Sequence, residues 1–467
     1  MTKQHFTRRD FMRTAGAGAA ALTLSGFAGI EAQSARKPNI IFIMADDLGY
    51  GDLGCYGQEQ ILTPYLDWMA SGGMRFTQCY AGHTVCAPSR SALMTGEHTG
   101  HTPIRGNRSE ATGDRVPLEP HHVTVAEILQ DAGYYTGIIG KWGLGEPDTT
   151  GIPNRQGFDE WFGFLNQQRA HNYYPEYLWR NEDKEYLEGN QDGRKEDYSH
   201  DLCTTEALDF IRRNHDRPFF LYLPYQIPHA HNALARETGD GMEVPSYEPY
   251  SDMPWSNPHK GYAAMVTRMD RDIGRLFALL DELGIDEDTI VFFTSDNGTH
   301  QEGGNDPEFF KSSGPLRGIK RDLYDGGIRV PMIARWPGKI PAGAVSDQVW
   351  AFWDFMPTAA ELAGASAPEG IDGLSMVPAL TGKPQRNHDY LYWEFLHGGA
   401  FKQAVRMGDW KAVRNDLDEP TELYYLPRDI GEENDRAGEF PDIVAKAEAL
   451  FVTARTESEH WPKPNGG

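Results

Sequence analysis

Four continuous apolar runs in the first three hundred residues each give way to polar chemistry. Asn39-Ile40-Ile41-Phe42-Ile43-Met44-Ala45 runs into Asp46-Asp47. Tyr134–Gly140 runs into Lys141, Pro218–Leu223 leads to His229, and Thr289–Ser295 ends at Asp296-Asn297-Gly298. Short apolar runs without alternation mark parallel strands buried on both faces. In an open α/β sheet, ligands bind beyond the carboxyl ends of such strands. The pattern therefore predicts one site assembled from distant parts of the chain.

Helical periodicity falls between these runs. Thr124 is placed to cap a helix over Val125–Asp131 that Gly133 ends. From Tyr262 to Leu283 the apolar positions Met265, Met269, Ile273, Leu276, Leu280 and Leu283 trace one helix face. Asp270, Arg271 and Asp272 then read as its solvated side. Phe355–Ala363 predicts another helix, closed by Gly364. Two polar stretches without period, 165–200 and 230–260, read as binding loops. After Thr381 the pattern changes to short β-like runs (Leu391–Phe395, Ala404–Met407, Trp410–Arg414, Glu422–Tyr425) and a helix over Pro441–Arg455. For 467 residues this gives an α/β fold. A large mixed, mainly parallel sheet sandwiched by helices occupies residues 36–380, and a small C-terminal α+β subdomain of antiparallel strands and one helix occupies 381–467.

The formal net charge of -24 excludes a nucleic-acid partner. It also means that an anionic substrate needs a local basic pocket. The four cysteines do not form a disulfide scaffold in a chain this long; Cys55 with Cys79 is the pair to test. Thr7-Arg8-Arg9-Asp10-Phe11-Met12-Arg13 is a twin-arginine pattern, and an Ala/Gly-rich run to Ile30 follows it. Residues 1–35 thus read as a signal peptide for the twin-arginine export machinery. Cleavage is expected after Gly26-Phe27-Ala28 or slightly beyond, with a periplasmic or extracellular destination. No later segment is apolar enough to span a membrane, so the mature protein is expected to have no membrane span.

Candidate chemistry centres on Thr84–Gly96. Pro88 favours an extended or turn conformation for Ala87, and Ser89 is placed to cap a helix through Leu93. Cys86 would then sit at a positive helix terminus, suited to negative charge. Asp46, Asp47, Asp296 and Asn297 are hard oxygen ligands for Ca²⁺ or Mg²⁺, and adjacent carboxylates at one strand end need a cation between them. Arg90, Lys141 and Lys320 are the cationic candidates, whereas Arg317 and Arg321 read as surface or loop ion pairs. His229 can donate a proton or hydrogen bond to a leaving oxygen; His231 has no assigned role. No G-x-S-x-G elbow or Cys/His pair accompanies Cys86.

Cys86-Ala87-Pro88-Ser89-Arg90 followed by Leu93-Met94-Thr95-Gly96 resembles the signature of the type I sulfatases. Gly140-Lys141-Trp142-Gly143-Leu144-Gly145 and Leu316–Pro331, with Lys320 four residues before Tyr324-Asp325-Gly326-Gly327, resemble that family's two lysine blocks. The likeness runs from Asn39 to about Tyr425. It implies an alkaline-phosphatase-like fold and hydrolysis of sulfate monoesters. It also implies that a maturation enzyme oxidises Cys86 to formylglycine (3-oxoalanine), whose hydrate is the nucleophile. Asp46, Asp47, Asp296, Asn297 and residue 86 would hold Ca²⁺, with Mg²⁺ the lesser candidate. Arg90, Lys141, His229 and Lys320 would be catalytic, the last three also touching substrate. The family's commoner form has histidine where this chain has Gly143, so Asp46, His229 or water would take over as base. The Tyr/Gln-rich loop around 166–174 points to a sulfated saccharide rather than an aryl sulfate, with Gln167 and His171 as substrate contacts. The alternatives are a phosphate or phosphonate ester hydrolase on the same fold, or a non-catalytic saccharide-binding relative with unmodified Cys86.

Overall fold

The computed structural model describes residues 37–107 and 116–464; the expected twin-arginine signal lies outside the described residues. The large sheet takes β1 (Asn39–Ala45), β2 (Met74–Tyr80), β3 (Tyr135–Lys141), β4 (Glu160–Phe164), β5 (Tyr177–Arg180), β6 (Asp183–Tyr186), β7 (Phe219–Pro224), β8 (Thr289–Ser295), β9 (Arg329–Arg335), β10 (Ala344–Ser346) and β11 (Trp350–Ala351). Their order is β10-β2-β9-β8-β1-β7-β3-β4-β5-β6, with β11 also on β2. The central strands β8, β1, β7, β3 and β4 are mutually parallel, and antiparallel pairs lie on either side of them.

β1 shows why a continuous apolar run was needed. Ile41, Ile43 and Ala45 face one core with the helices Ser199–Asn214 and Asn257–Glu282. Ile40, Phe42 and Met44 face the other, with Cys86–Thr95, Val125–Asp131 and Phe355–Ala363. The Phe42 ring packs at a tilt against Phe355, with centroids 4.4 Å apart. Burying each such side chain contributes about 1.5–3 kcal/mol. Thr124 makes a full capping box with Glu127, and Gly133 and Gly364 adopt positive φ where their helices end.

Several expectations need correction. The helix predicted from Tyr262 begins at Asn257, because the Ser256 hydroxyl accepts from His259 N. Asp270 and Asp272 are buried rather than solvated. Asp270 accepts the Tyr65 and Leu66 amides at 3.2 and 2.8 Å, capping the neighbouring helix Pro64–Ser71. Asp272 pairs with His200, Arg271 and Arg275. Periodicity marks a face but not the second element that covers it. The polar stretch 165–200 is partly sheet: the β5–β6 hairpin extends it, and polar side chains suit that edge. All four cysteines are free thiols. Cys79 packs in one core and Cys55 against the other, on opposite sheet faces, so no bond joins them.

The antiparallel strands β12 (Leu391–His397), β13 (Ala400–Met407), β14 (Trp410–Arg414) and β15 (Glu422–Tyr425) pair in chain order. Trp393, Ala404 and Val413 pack on Tyr80, Val85 and Ile328. Tyr392, Val405 and Ala412 pack on Ala447 and Phe451 of the helix Pro441–Thr453. Among the described residues no helix is long and apolar enough to cross a membrane.

Candidate active site

The carboxyl ends of β1, β3, β7 and β8 deliver Asp46-Asp47, Lys141, His229 and Asp296-Asn297 to one buried locus. Ligand atoms of Asp46, Asp47, Cys86 and His229 lie within 4.8 Å of one another. Cys86 occupies the first turn of its helix with Val85 as cap, so two local expectations fail. Ala87 is helical, since a first-turn proline such as Pro88 lacks only an amide that has no helical partner. Ser89 is no cap: its hydroxyl donates to the Asp296 carbonyl at 2.5 Å. The inference about position 86 survives, because the residue still sits at the positive helix end.

Each carboxylate is met by cations. Lys141 Nζ donates to Asp46 Oδ2 at 2.6 Å and Lys320 Nζ to Asp47 Oδ2 at 2.7 Å. Arg90 grips Asp296 Oδ2 through Nε (3.2 Å) and Nη2 (2.7 Å) and donates to the Lys141 carbonyl. Burial resists charge on Asp46, but Lys141 and Arg90 outweigh it and hold the carboxyl far down. Burial, then Asp46, push Asp296 up to about 7. Burial and Asp46 likewise push the Cys86 thiol far above its usual range, so an unmodified Cys86 is no thiolate nucleophile. Its Sγ instead donates to Asp46 Oδ1 at 3.4 Å.

Asn297 Nδ2 donates to Asp47 Oδ1 at 2.7 Å, while its fully buried Oδ1 has no partner. An orphaned buried amide oxygen beside three crowded carboxylates fits a hard divalent cation. Asp46, Asp47, Asp296 and Asn297 are therefore the residues able to hold one.

Three imidazoles group together around His229 beside these carboxylates. His229 Nδ1 lies 2.8 Å from the Ala230 carbonyl and Nε2 lies 3.0 Å from Lys320 Nζ. This pattern protonates Nδ1 and spends the Nε2 lone pair on the lysine. Burial and Lys320 hold its pKa well down. His171 stacks on His229 at 4.0 Å, and His300 lies 5.9 Å from it on stacking geometry. Gln167 bonds the Gly143 carbonyl at 3.0 Å. Gly143 has φ +88°, and a Cβ there would lie 2.4 Å from Gln167 Nε2, so glutamine fills the space a side chain at 143 would need.

Sequence reasoning missed Glu302, which pairs with Lys320 (3.4 Å) and Arg321 and lies 3.9 Å from His229. It also missed Tyr173, which donates to the His229 carbonyl, and Asn107, which accepts the Ala87 amide at 3.1 Å. None lies in a recognisable motif. Arg321 is a loop ion pair as expected, but Arg317 lies over the Tyr324 ring and donates to Tyr424 and the Glu432 carbonyl. His231 bonds Glu243.

Residues 38–365 match the family model Sulfatase, and 319–447 match N-sulphoglucosamine sulphohydrolase, C-terminal. The N-acetylgalactosamine-6-sulfatase of Canis lupus familiaris is 35% identical over 408 residues, covering 82% of this chain and 73% of the relative. Arylsulfatase A of Homo sapiens is 35% identical over 422 residues, covering 81% and 75%. Among solved structures, Ps i-CgsB in complex with k-i-k-neocarrahexaose superposes with a TM-score of 0.76 at 29% identity, covering 90% of this chain and 93% of its own. The phosphonate monoester hydrolase of Agrobacterium radiobacter, at 20% identity and TM-score 0.60, covers 89% and 95% and shares the fold alone.

Proposed function

This chain belongs to the sulfatase family, enzymes that hydrolyse sulfuric esters, and from that premise we propose that it cleaves sulfate monoesters of a saccharide. It does so through a formylglycine made from Cys86 and a divalent cation, calcium in preference to magnesium, held by Asp46, Asp47, Asp296 and Asn297. The observation that carries this is residue 86 at a helix N-terminus in a buried pocket, with the Asn297 Oδ1 left without a partner among the described residues. When present, the two groups supply the nucleophilic oxygen and the charge that neutralises the sulfate oxygens.

The chain's own residues supply the rest. Lys141 and Lys320 stay protonated: burial works against the charge, but Asp46 and Asp47 outweigh it. Both ammonium groups therefore present preorganised positive charge to a sulfate, in a site from which water is largely excluded. Lys320, shared between Asp47 and His229, is placed to donate to the departing oxygen. Arg90 fixes Asp296 and, through the Lys141 carbonyl, the end of β3.

A saccharide is favoured over an aryl sulfate because two similar proteins carry saccharides in their names: N-acetylgalactosamine-6-sulfatase and the neocarrahexaose complex. Gln167 and His171 are the proposed sugar contacts. The twin-arginine pattern supports export to the periplasm or beyond, by a route for folded proteins that lets a formylglycine-generating enzyme act before export. Peptide mass spectrometry of Phe76–Arg90 from protein made in its native compartment tests the mechanism. We expect an aldehyde at residue 86. An unmodified thiol in the presence of an active maturation enzyme would overturn it and favour a saccharide-binding protein without turnover.

A further inference from the structure

The segment after the helix Pro441–Thr453 runs back to the loop that follows the Cys86–Thr95 helix. There the Thr456 amide donates to the Gly100 carbonyl at 3.0 Å. Arg105 donates to Glu394 at 3.1 Å and to the Thr456 carbonyl at 2.9 Å, and Arg455 donates to the other Glu394 oxygen at 2.7 Å. All three charged side chains are buried, so the returning segment is held rigidly. Further along it, the Trp461 indole donates to the Pro103 carbonyl at 2.8 Å. The ring rests on Gly106, where a Cβ would lie 2.8 Å from Trp461 Cζ3.

Trp461 is half-buried and lines two cavities. The first is a narrow cleft between Ala87, Asn107, Gly143, Gln167 and Trp461. It adjoins the active site, because Ala87 follows residue 86 and its amide donates to Asn107 Oδ1 at 3.1 Å. The second, of about 310 Å³, continues from Asn107 and Trp461 to Arg105, Glu394, Leu396 and Phe401. That volume reaches the lower end of the range for small-molecule sites, about 300–1,000 Å³. Leu396 and Phe401 are paired across β12 and β13, and Leu396 is exposed. The lining thus joins an indole and apolar side chains to an amide and a guanidinium–carboxylate pair. A sugar ring, with an apolar face and a hydroxyl edge, matches that mixture.

We propose that this second cavity is a saccharide subsite in which Trp461 stacks a sugar neighbouring the sulfated one, so that the preferred substrate is a sulfated oligosaccharide rather than a monosaccharide sulfate. This rests on the sulfatase reading above. The reacting sugar lies against Gln167 and His171, and the chain passes Asn107 to reach the indole. The buried Arg105–Glu394–Arg455 cluster sets the platform before substrate arrives, which limits the ordering cost of binding. The stack is made equally in the ground and transition states, so it lowers KM and not the barrier after binding.

The test uses full-length matured protein, wild type and with Trp461→Ala or Trp461→Phe. The probes are hexasaccharides of chondroitin 6-sulfate and κ-carrageenan, the matching monosaccharide sulfates, and 4-nitrophenyl sulfate. We expect the wild type to prefer the hexasaccharide of at least one pair by about tenfold in kcat/KM, the order of one aromatic stacking contact. Trp461→Ala should lose about that factor on the preferred hexasaccharide, in KM rather than kcat, and far less on 4-nitrophenyl sulfate. Trp461→Phe, which keeps an aromatic face, should retain most of the preference. The same hexasaccharide should shift the indole ¹⁵N–H signal of Trp461, and inorganic sulfate should not. A wild type that cleaves 4-nitrophenyl sulfate and prefers neither hexasaccharide overturns the proposal while leaving the sulfatase reading intact. So do equal losses by Trp461→Ala on the hexasaccharide and on 4-nitrophenyl sulfate. Wild-type protein that carries the aldehyde and cleaves none of the probes overturns both.

Discussion

Replacing Lys411 by methionine tests how the C-terminal sheet is locked to the loop that carries Lys320. Lys411 Nζ lies 2.7 Å from Asp325 Oδ1 and 2.8 Å from Glu432 Oε1, and all three side chains are fully buried. Asp325 opens the turn into β9, and its amide donates to Glu432 at 2.6 Å. Burial works against ionisation of Asp325, but Lys411 and Arg329 outweigh it and hold the carboxyl at about 2. Glu432, with less help, is pushed up to about 7 by burial. Removing the shared cation leaves two buried carboxylates with Arg329, 3.3 Å from Asp325, and the more distant Arg406 as the cations nearby. Breaking a buried pair in this way costs about 3–5 kcal/mol. The pH dependence has a definite sign. A carboxyl whose folded pKa is raised destabilises the fold when charged, so its penalty is relieved as pH falls through the folded value. Without Lys411 the depressed Asp325 loses its main partner and rises, and Glu432 rises further, so the variant's deficit is largest near about pH 8 and shrinks toward about pH 5.5. Urea unfolding at the two pH values measures it, and Glu432→Gln in the Lys411→Met background should recover much of the loss. A deficit below about 1 kcal/mol, or one equal at both pH values, would refute the reasoning.

Three further outcomes are expected. Asp270→Ala strands the Tyr65 and Leu66 amides and should cost about 1–3 kcal/mol in urea unfolding, with Asp270→Asn recovering most of it. Gly298→Ala would place a Cβ 1.9 Å from the Gly326 carbonyl. The shift this forces on Asp296 and Asn297 should lower kcat/KM by about a hundredfold; unchanged kinetics would show that the turn tolerates the move. Chelation should lower the melting temperature, and calcium at about a hundredfold over Kd should restore about 2.7 kcal/mol. Calorimetry of Asn297→Leu should show that restoration weakened or lost.

The buried strands, their polar C-terminal ends and most of the site were legible in the chain. Asp46, Lys141, His229 and Asp296 each follow an apolar run, and the edge of a run is a local signal. Asn297, Lys320 and Arg90 came from motif spacing. Asp270 and Asp272 were misassigned because a helix face opposite the main apolar stripe looks solvated until another element is seen to cover it. Glu302, Tyr173 and Asn107 gave no signal, since single polar residues in loops carry none.

What the sequence alone determined is the sheet, its two helical layers, the C-terminal sheet and the list of chemically able groups. Apolar periodicity and strand-end chemistry depend only on near neighbours. The tertiary structure alone decided which lone pairs are already spent. That Lys320 occupies His229, that Gln167 fills the space beside Gly143 and that Trp461 donates to the Pro103 carbonyl all follow from residues far apart in the chain. Hydrogen bonds are short and directional, so their partners are settled only when the fold has brought them within about 3 Å.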